Sequence, residues 1–181
     1  MTLGSFESIV RALADRGVRY LIAGGLAVNA HGYLRFTMDV DVVLQLDVGN
    51  IANAFAALGA LRYRPSVPVT ERQFADPAQR AAWTREKNMT VLQFWSDAHR
   101  ETSIDVFVSE PFEFDVEYDK ALRRELAPGL EVRFTSLQTL IAMKQRAGRP
   151  QDLLDVENLQ IRALQQGEDP REGEGERDGG A

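Results

Sequence analysis

The sequence predicts an α+β domain in which a small mixed β-sheet is packed with helices. Short apolar runs with the length of strands are interspersed with stretches whose apolar residues recur at the 3.6-residue period of a helix. The chain has 181 residues, of which 44% are hydrophobic, so it is long and apolar enough to bury a core. One domain, alone or with an appendage, is therefore expected.

The first third of the chain is predicted to alternate helices and strands. In chain order it reads as a helix from Ser5 to about Arg16, a buried strand over 18–23, a short helix over 26–30, a strand over 40–44 and a helix that Asp47 or Asn50 caps and that ends near Leu58. Gly17 and Gly59 follow the two longer helices, in the position where glycine commonly ends a helix. The pair Gly24-Gly25 separates the first strand from the short helix.

The rest of the chain is predicted to contain a hairpin, a further strand and two helices. The middle segment, 61–88, has a weaker pattern, although Asp76-Pro77 has the cap-then-proline order of a helix start. Strands are predicted over 89–95 and 103–108, joined across the polar loop 96–101, and over 131–134. Thr135 and Gln138 have the spacing of a capping box for a helix that reaches Arg146. The last helix should begin at Pro150.

The C-terminal tail is predicted to be disordered and acidic. The net charge is −6, and the residues from Glu168 onward contain six acids, two arginines and several glycines. Without them the charge is near −2, so the bulk charge does not indicate a nucleic-acid-binding protein. The predicted organisation is one domain over 1–166, with its C-terminal helices starting near 135, followed by the tail over 167–181.

Several functional classes are excluded or disfavoured. The chain has no cysteine, which excludes disulfides, thiolate catalysis and cysteine-bound zinc. No apolar run approaches the ~20 residues of a membrane span, and the first residues lack a signal-peptide pattern, so a cytoplasmic protein without membrane contact is expected. Neither a P-loop nor a G-x-G-x-x-G motif is present.

Three aspartates are the main candidates for chemistry. On a strand, Asp39 and Asp41 project to one side while Val40 and Val42 enter the core, and Asp105 has the same setting in the later run Ser103–Val108. Adjacent carboxylates repel each other, and a hard divalent cation commonly compensates for this. We predict that the three carboxylates lie on neighbouring strands, within reach of shared metal ions and facing the turn at Gly24-Gly25.

This combination suits metal-assisted phosphoryl transfer. Two metal ions held by carboxylates can stabilise the attacking and leaving oxygens of an in-line displacement. Gly24-Gly25, between a strand and a helix, lets the backbone approach a phosphate closely. Each feature alone has a simpler explanation: a glycine pair is usually a turn, and Asp-x-Asp is often a solvated strand face or part of a calcium loop. Their joint occurrence favours the catalytic interpretation.

At these residues the chain resembles a known group of enzymes. Ala23-Gly24-Gly25, then Arg35 and Thr37, then Asp39-Val40-Asp41 are similar to the signature of the DNA polymerase β nucleotidyltransferase superfamily, and Asp105 resembles its third acid. Between roughly Tyr20 and Leu159 the chain is also similar to small bacterial nucleotidyltransferases of the abortive-infection toxin type. Their lysine, four residues and arginine appear here as Lys144 and Arg149, followed by Asp152 and Asp155.

The resemblance implies a nucleotidyltransferase fold and an enzyme that moves a nucleoside monophosphate from an NTP to an acceptor hydroxyl. Its cofactor would be Mg²⁺ or Mn²⁺, held by Asp39, Asp41 and Asp105. The acceptor would be RNA, such as a tRNA, or a partner protein, with the enzyme acting as the toxin of a pair with a cognate antitoxin. Two alternatives stay open: an aminoglycoside-type antibiotic nucleotidyltransferase, and a non-catalytic regulatory member of the fold.

The proposed nucleotide-binding residues are Gly24, Gly25, Arg35, Thr37, Lys144 and Arg149. Lys144 either neutralises the triphosphate or is an exposed lysine at a helix end, where a cation suits the helix dipole. Arg35 either reaches a phosphate or pairs structurally with acids. Thr37 is either close to the site or only the hydroxyl at a strand start.

Overall fold

In the computed structural model, which describes residues 1–165, one seven-stranded mixed sheet is flanked by helices. The strand order is β3-β4-β5-β2-β1-β7-β6. The strands are Tyr20–Ile22 (β1), Asp39–Leu44 (β2), Arg64–Pro65 (β3), Val91–Trp95 (β4), Ser103–Phe107 (β5), Leu122–Ala127 (β6) and Leu130–Phe134 (β7). The predicted disordered tail at 167–181 lies outside the described residues. No helix within 1–165 is both long and apolar enough to cross a membrane.

Eight α-helices accompany this sheet within the same residues. They are Leu3–Asp15 (α1), Gly24–Ala30 (α2), Val48–Ala60 (α3), Glu71–Ala75 (α4), Pro77–Lys87 (α5), Phe114–Lys120 (α6), Leu137–Ala147 (α7) and Pro150–Gln165 (α8). A short 3-10 turn at Asp97–His99 joins β4 to β5. Most helices begin at a side-chain cap: Thr2, Asp47 and Asp76 accept backbone N–H groups at the starts of α1, α3 and α5.

The centre of the sheet brings together strands that are distant in sequence. β2 runs parallel to β5, with Asp39 opposite Ser103 and Asp41 opposite Asp105, and it is antiparallel to β1 on its other side. Val40, Val42 and Leu44 of β2 are buried in the main core. Because side chains alternate along a strand, burial of these residues fixes the aspartates on the opposite face.

Helices α7 and α8 close the structure beside α2. Gly148 ends α7 in the left-handed conformation, with φ of 64°, and its N–H donates to the Lys144 carbonyl. Val156, Leu159 and Ala163 on α8 are buried against the main core. These two helices therefore bring residues 144–155 to the end of the sheet where α2 begins.

The predicted α+β architecture, a small mixed sheet packed with helices and followed by two C-terminal helices, is confirmed. The β4–β5 hairpin and the helix start at Asp76-Pro77 are present as predicted. The cap predicted for α7 is wrong: Ser136, not Thr135, caps this helix, and the backbone N–H of Thr135 donates to the Ile22 carbonyl at the end of the sheet. Thr135 therefore continues the hydrogen bonding of β7 to β1 and does not take part in the start of α7.

Candidate active site

The central feature of the site is a set of three aspartates on two adjacent parallel strands. Asp41 and Asp105 are cross-strand partners, and Asp39 lies two residues before Asp41 on the same face. The carboxylate of Asp39 accepts a hydrogen bond from the hydroxyl of Ser103, its partner on β5. Oδ1 of Asp105 is buried and has no hydrogen-bond partner within residues 1–165. A buried, unpartnered carboxylate oxygen is costly without a ligand.

Burial and mutual repulsion disfavour ionisation of these acids. Burial, followed by the charges of Asp105 and Asp39, raises the pKa of Asp41 to about 6, although Lys144 and Arg35 act in the opposite direction. The pKa of Asp105 is also raised, chiefly by burial and then by Asp39, while Gln93 and Arg149 lower it. A bound cation would reverse the balance by stabilising the charged carboxylates.

The trio does not form a ready-made metal site. Within residues 1–165, no three acidic or histidine side chains are gathered in an arrangement that could hold a metal ion. The expectation that all three carboxylates already lie within reach of shared metal ions is therefore not met, although the adjacent strands and the facing glycine turn are as expected.

Gly24 leaves room for the Asp41 carboxylate at the start of α2. A Cβ on Gly24 would lie 1.8 Å from Oδ2 of Asp41, and the backbone has a φ of 59° at this residue. A side chain is excluded at this position for two reasons. It would overlap the Asp41 carboxylate, and the left-handed backbone conformation is strained for residues other than glycine. The carboxylate therefore packs directly against the glycine turn that the sequence singled out.

Gly25 is similarly close to the segment that precedes β2. A Cβ there would lie 2.7 Å from Oγ1 of Thr37 and 3.0 Å from Nη2 of Arg35. The side chain of Asn29 donates to the Arg35 carbonyl at 3.0 Å and accepts from the Arg35 N–H at 2.8 Å. The paired hydrogen bonds fix this part of the backbone, so Arg35 and Thr37 are held beside the turn.

Lys144 is the residue whose environment departs most from the sequence-based alternatives. It is 5% exposed, and its Nζ lies 2.7 Å from Asp155 and 3.1 Å from Asp152. Asp155 is fully buried and also lies 3.0 Å from Nε of Arg35. The interpretation of Lys144 as an exposed helix-end lysine is wrong, because α8 covers it with two carboxylates.

All nine candidate residues line one cavity of about 620 Å³. Its wall includes Gly24, Gly25, Arg35, Thr37, Asp39, Asp41, Asp105, Lys144 and Arg149. Arg149 is exposed and has no ion-pair partner in the described part of the chain. The residues that the sequence patterns selected therefore belong to one site.

Sequence reasoning missed three contributors. Ser103 binds Asp39, Asn29 fixes the Arg35 backbone, and Asp155 joins Arg35 to Lys144. Asp155 was noted only as an acid following Arg149. The alternation of strand β5 places Ser103 on the face of Asp105, so that signal was present in the sequence. The contacts of Asn29 and Asp155 depend on tertiary packing and had no local signal.

Two solved structures share this architecture. The chain superposes on the solution structure of the antibiotic-resistance factor ANT(2'')-Ia with a TM-score of 0.56 and 14% identity, covering 91% of this chain and 84% of that one. The crystal structure of ANT(2'')-Ia in complex with adenylyl-2''-tobramycin gives a TM-score of 0.57 and 15% identity, covering 90% and 88%. The chain has the nucleotidyltransferase fold. No protein-family profile matches the sequence, and no curated protein is significantly similar to it.

Within this nucleotidyltransferase fold, Gly24→Ala should disrupt the site. The new methyl group would overlap the Asp41 carboxylate and require a strained φ, so we expect a loss of about 1–3 kcal/mol from backbone strain alone. Thermal unfolding compared with Gly4→Ala, where an added Cβ meets no atom within 4 Å, measures the effect. An unchanged melting temperature in Gly24→Ala would contradict the packing of Asp41 against this turn.

Proposed function

We propose that this protein is a metal-dependent nucleotidyltransferase, which moves a nucleoside monophosphate from an NTP to an acceptor hydroxyl. The observation that carries the proposal is the placement of Asp39, Asp41 and Asp105 on adjacent strands, against a turn where Gly24 has no room for a side chain. The cavity in front of them also contains cationic side chains, as a triphosphate requires. The nucleotidyltransferase fold supports the same reaction class.

The carboxylates suit Mg²⁺ or Mn²⁺. They supply the hard oxygen ligands that these ions prefer, and the unpartnered Oδ1 of Asp105 and the raised pKa of Asp41 indicate uncompensated groups. Asp39, Asp41 and Asp105 would hold the metal. When bound, it would neutralise charge on the transferred phosphoryl group and its leaving oxygen.

The chain's own groups would orient the reactants and accept the proton. The acceptor oxygen attacks the α-phosphorus of the NTP, the bond between that phosphorus and the bridging oxygen breaks, and pyrophosphate leaves. Asp105 would accept the hydroxyl proton, because it lies on the strand beside Asp41 and lines the same cavity. Gly24 and Gly25 would let the phosphates approach the backbone closely.

The four cations of the cavity wall differ in their partners: two are paired with acids, Arg146 donates to the Pro111 carbonyl, and the side chain of Arg149 has neither kind of partner within residues 1–165. Lys144 and Arg35 both contact the buried Asp155, so their charge is partly compensated before any nucleotide binds. Arg149 has no such partner within residues 1–165 and lowers the pKa of Asp105, which places its charge near the carboxylates. We assign the main contact with the triphosphate to Arg149, with Lys144 and Arg35 providing a positive wall behind it.

Two acceptor classes fit different observations. The resemblance to toxin-type nucleotidyltransferases favours RNA, such as a tRNA end, or a partner protein, with a cognate antitoxin opposing the activity. The structural likeness to ANT(2'')-Ia, which extends over 84% and 88% of the compared chains, favours an aminoglycoside. The cavity wall contains four acids and four cations, so its charge favours neither acceptor class.

A thermal-shift experiment tests the nucleotide site. Mg²⁺ or Mn²⁺ together with an NTP should raise the melting temperature, because a ligand that binds only the folded state stabilises it by about 2.7 kcal/mol at a hundred times its Kd. Arg149→Ala should reduce the rise, and Arg62→Ala, outside the cavity, should leave it unchanged. A wild-type melting curve that ignores metal and nucleotide would instead favour the non-catalytic alternative.

A transfer assay then separates the acceptors. α-³²P-labelled NTPs are incubated with total RNA, a protein lysate or an aminoglycoside, and label in the RNA fraction is the result expected. Label in the aminoglycoside alone would identify an antibiotic-modifying enzyme, and label in one protein band would identify a protein acceptor. No transfer to any acceptor, despite a nucleotide-induced thermal shift, would argue against the acceptor classes considered.

A further inference from the structure

We propose that the acceptor is the single-stranded end of an RNA, which lies along the segment 30–39 with its phosphates in a second, cationic cleft. This proposal rests on the proposed function and names the acceptor and its path. The path has three parts: the cationic cleft, an apolar strip on the connecting segment, and the three aspartates where the terminal hydroxyl would react.

The cationic cleft lies beside the far end of α2, away from Gly24. It has a volume of about 400 Å³, and its wall includes the exposed residues Lys120, Arg123 and Arg124 together with the first turn of α7. Salt bridges recorded within residues 1–165 involve none of these three cations. Three cations without a salt bridge within five residues attract a polyanion, for which phosphate groups are the commonest source.

One continuous segment links the cationic cleft to the active site. Ala30, His31 and Gly32 line the cleft, whereas Arg35, Thr37 and Asp39 line the cavity with the carboxylates. From Gly32 to Asp39 the chain spans at most about 25 Å, which is a distance that a few nucleotides bridge. The paired hydrogen bonds between Asn29 and the Arg35 backbone hold the middle of this segment in place.

The connecting segment carries an apolar strip that the core does not use. Leu34 is 81% exposed, Phe36 78% and Met38 56%, and they alternate with Arg35 and Thr37, which line the active-site cavity. One set of side chains therefore reaches the cavity and the other reaches solvent. Exposed aromatic and apolar side chains beside a cationic groove are the arrangement on which unpaired bases stack.

The order of these features matches the chemistry of a nucleotide chain. Phosphates would meet Lys120, Arg123 and Arg124, bases would meet Phe36 and its neighbours, and the terminal hydroxyl would face Asp105. A cationic aminoglycoside would be repelled by the cleft and has no aromatic ring to place on the strip. A protein partner would account for the apolar strip but leaves the separate cluster of cations without a function.

The test measures binding of a labelled single-stranded RNA of roughly 12 nucleotides to the full chain by fluorescence anisotropy. The double variant Arg123→Glu/Arg124→Glu should raise the Kd at least about 10-fold at low salt and reduce the slope of log Kd against log salt by about 1.4. The charge-matched control is Arg62→Glu/Arg72→Glu, whose residues line neither cavity. It should change the Kd by less than about twofold, since it retains every proposed phosphate contact.

Substitutions of Phe36 test the apolar strip independently of the cationic cleft. Phe36→Ala should raise the Kd about 5-fold or more, while Phe36→Trp, which keeps a stacking surface, should bind as the wild type does. All variants should retain the thermal shift with Mg²⁺ and NTP, because none of the substituted residues lines the active-site cavity.

The outcomes separate this proposal from the proposed function. RNA binding that is absent, or equally tight in the charge-reversed and control variants, would overturn the RNA path while a retained nucleotide shift keeps the transferase. Capture of a protein that Phe36→Ala abolishes, with unchanged RNA affinity, would also overturn it. Loss of the nucleotide shift in wild type, with the predicted RNA pattern intact, would contradict the transferase and leave the RNA-binding surface standing.

Discussion

Asp41→Asn should stabilise the protein in the absence of metal and eliminate nucleotidyl transfer. Asp41 is buried beside two other acids, and its pKa is raised from 3.8 to about 6. The folded state therefore disfavours the charged carboxylate at neutral pH. A shift of this size corresponds to about 3 kcal/mol, which asparagine would recover, so the melting temperature should rise by several degrees.

The pH dependence follows from the direction of the shift. Between the unfolded pKa of 3.8 and the folded value of about 6, the folded protein binds more protons than the unfolded chain. Wild-type stability from this group is therefore lost as pH rises through that window, and the loss is complete above it. The gain in stability of Asp41→Asn over wild type should be largest near neutral pH and should disappear as pH falls toward 4. Thermal melts of both proteins with EDTA, across this pH range, measure the difference. Asp97→Asn, at an exposed carboxylate, is the control.

Metal and nucleotide should reverse this order of stability. The wild type gains binding free energy from Mg²⁺ and NTP, whereas Asp41→Asn has lost a charged ligand and should gain little. The same substitution thus raises stability without ligand and removes the ligand's effect, and transfer should fall below detection. A variant that is less stable than wild type near neutral pH without metal would contradict the electrostatic account of the site.

The extent to which the sequence predicted this site depends on the range of each interaction. Alternation along β2 is local, so the common face of Asp39 and Asp41 was predictable from five residues. The pairing of Asp41 with Asp105 joins positions far apart in the chain, and β-strand order has no local signal. It was inferred from the resemblance and from the shared pattern of apolar neighbours.

Strand β6 and the burial of Lys144 escaped prediction for different physical reasons. Strand β6, Leu122–Ala127, is an edge strand whose side chains are mainly exposed, so it lacks the apolar alternation of a half-buried strand. The sequence left Lys144 either as a triphosphate contact or as an exposed lysine at a helix end, and neither alternative included its burial under α8. Burial of a lysine is determined by its tertiary partners, here Asp152 and Asp155, and the separation in sequence does not reveal which carboxylates will meet it.

Lys144→Ala should therefore destabilise the fold as well as slow the reaction. Removing the ammonium leaves the fully buried Asp155 with Arg35 as its remaining cation, and breaking a buried ion pair on one side costs about 3–5 kcal/mol. Lys87→Ala, at an exposed helix end, should change stability by less than about 0.5 kcal/mol and serves as the control. Chemical denaturation of both variants measures the difference.

A double-mutant cycle with Asp155→Asn shows whether this loss arises from the pair itself. If the uncompensated carboxylate is the cause, Lys144→Ala/Asp155→Asn should lose less stability than the sum of the single variants, with a coupling of about 0.5–3 kcal/mol. Lys144→Arg keeps the charge and should remain folded, so its transfer rate reports on catalysis without the folding defect. Additive losses would mean that Lys144 and Asp155 do not form the pair in solution. Arg35 would then be the main partner of Asp155, and Lys144 would be free to contact the triphosphate directly.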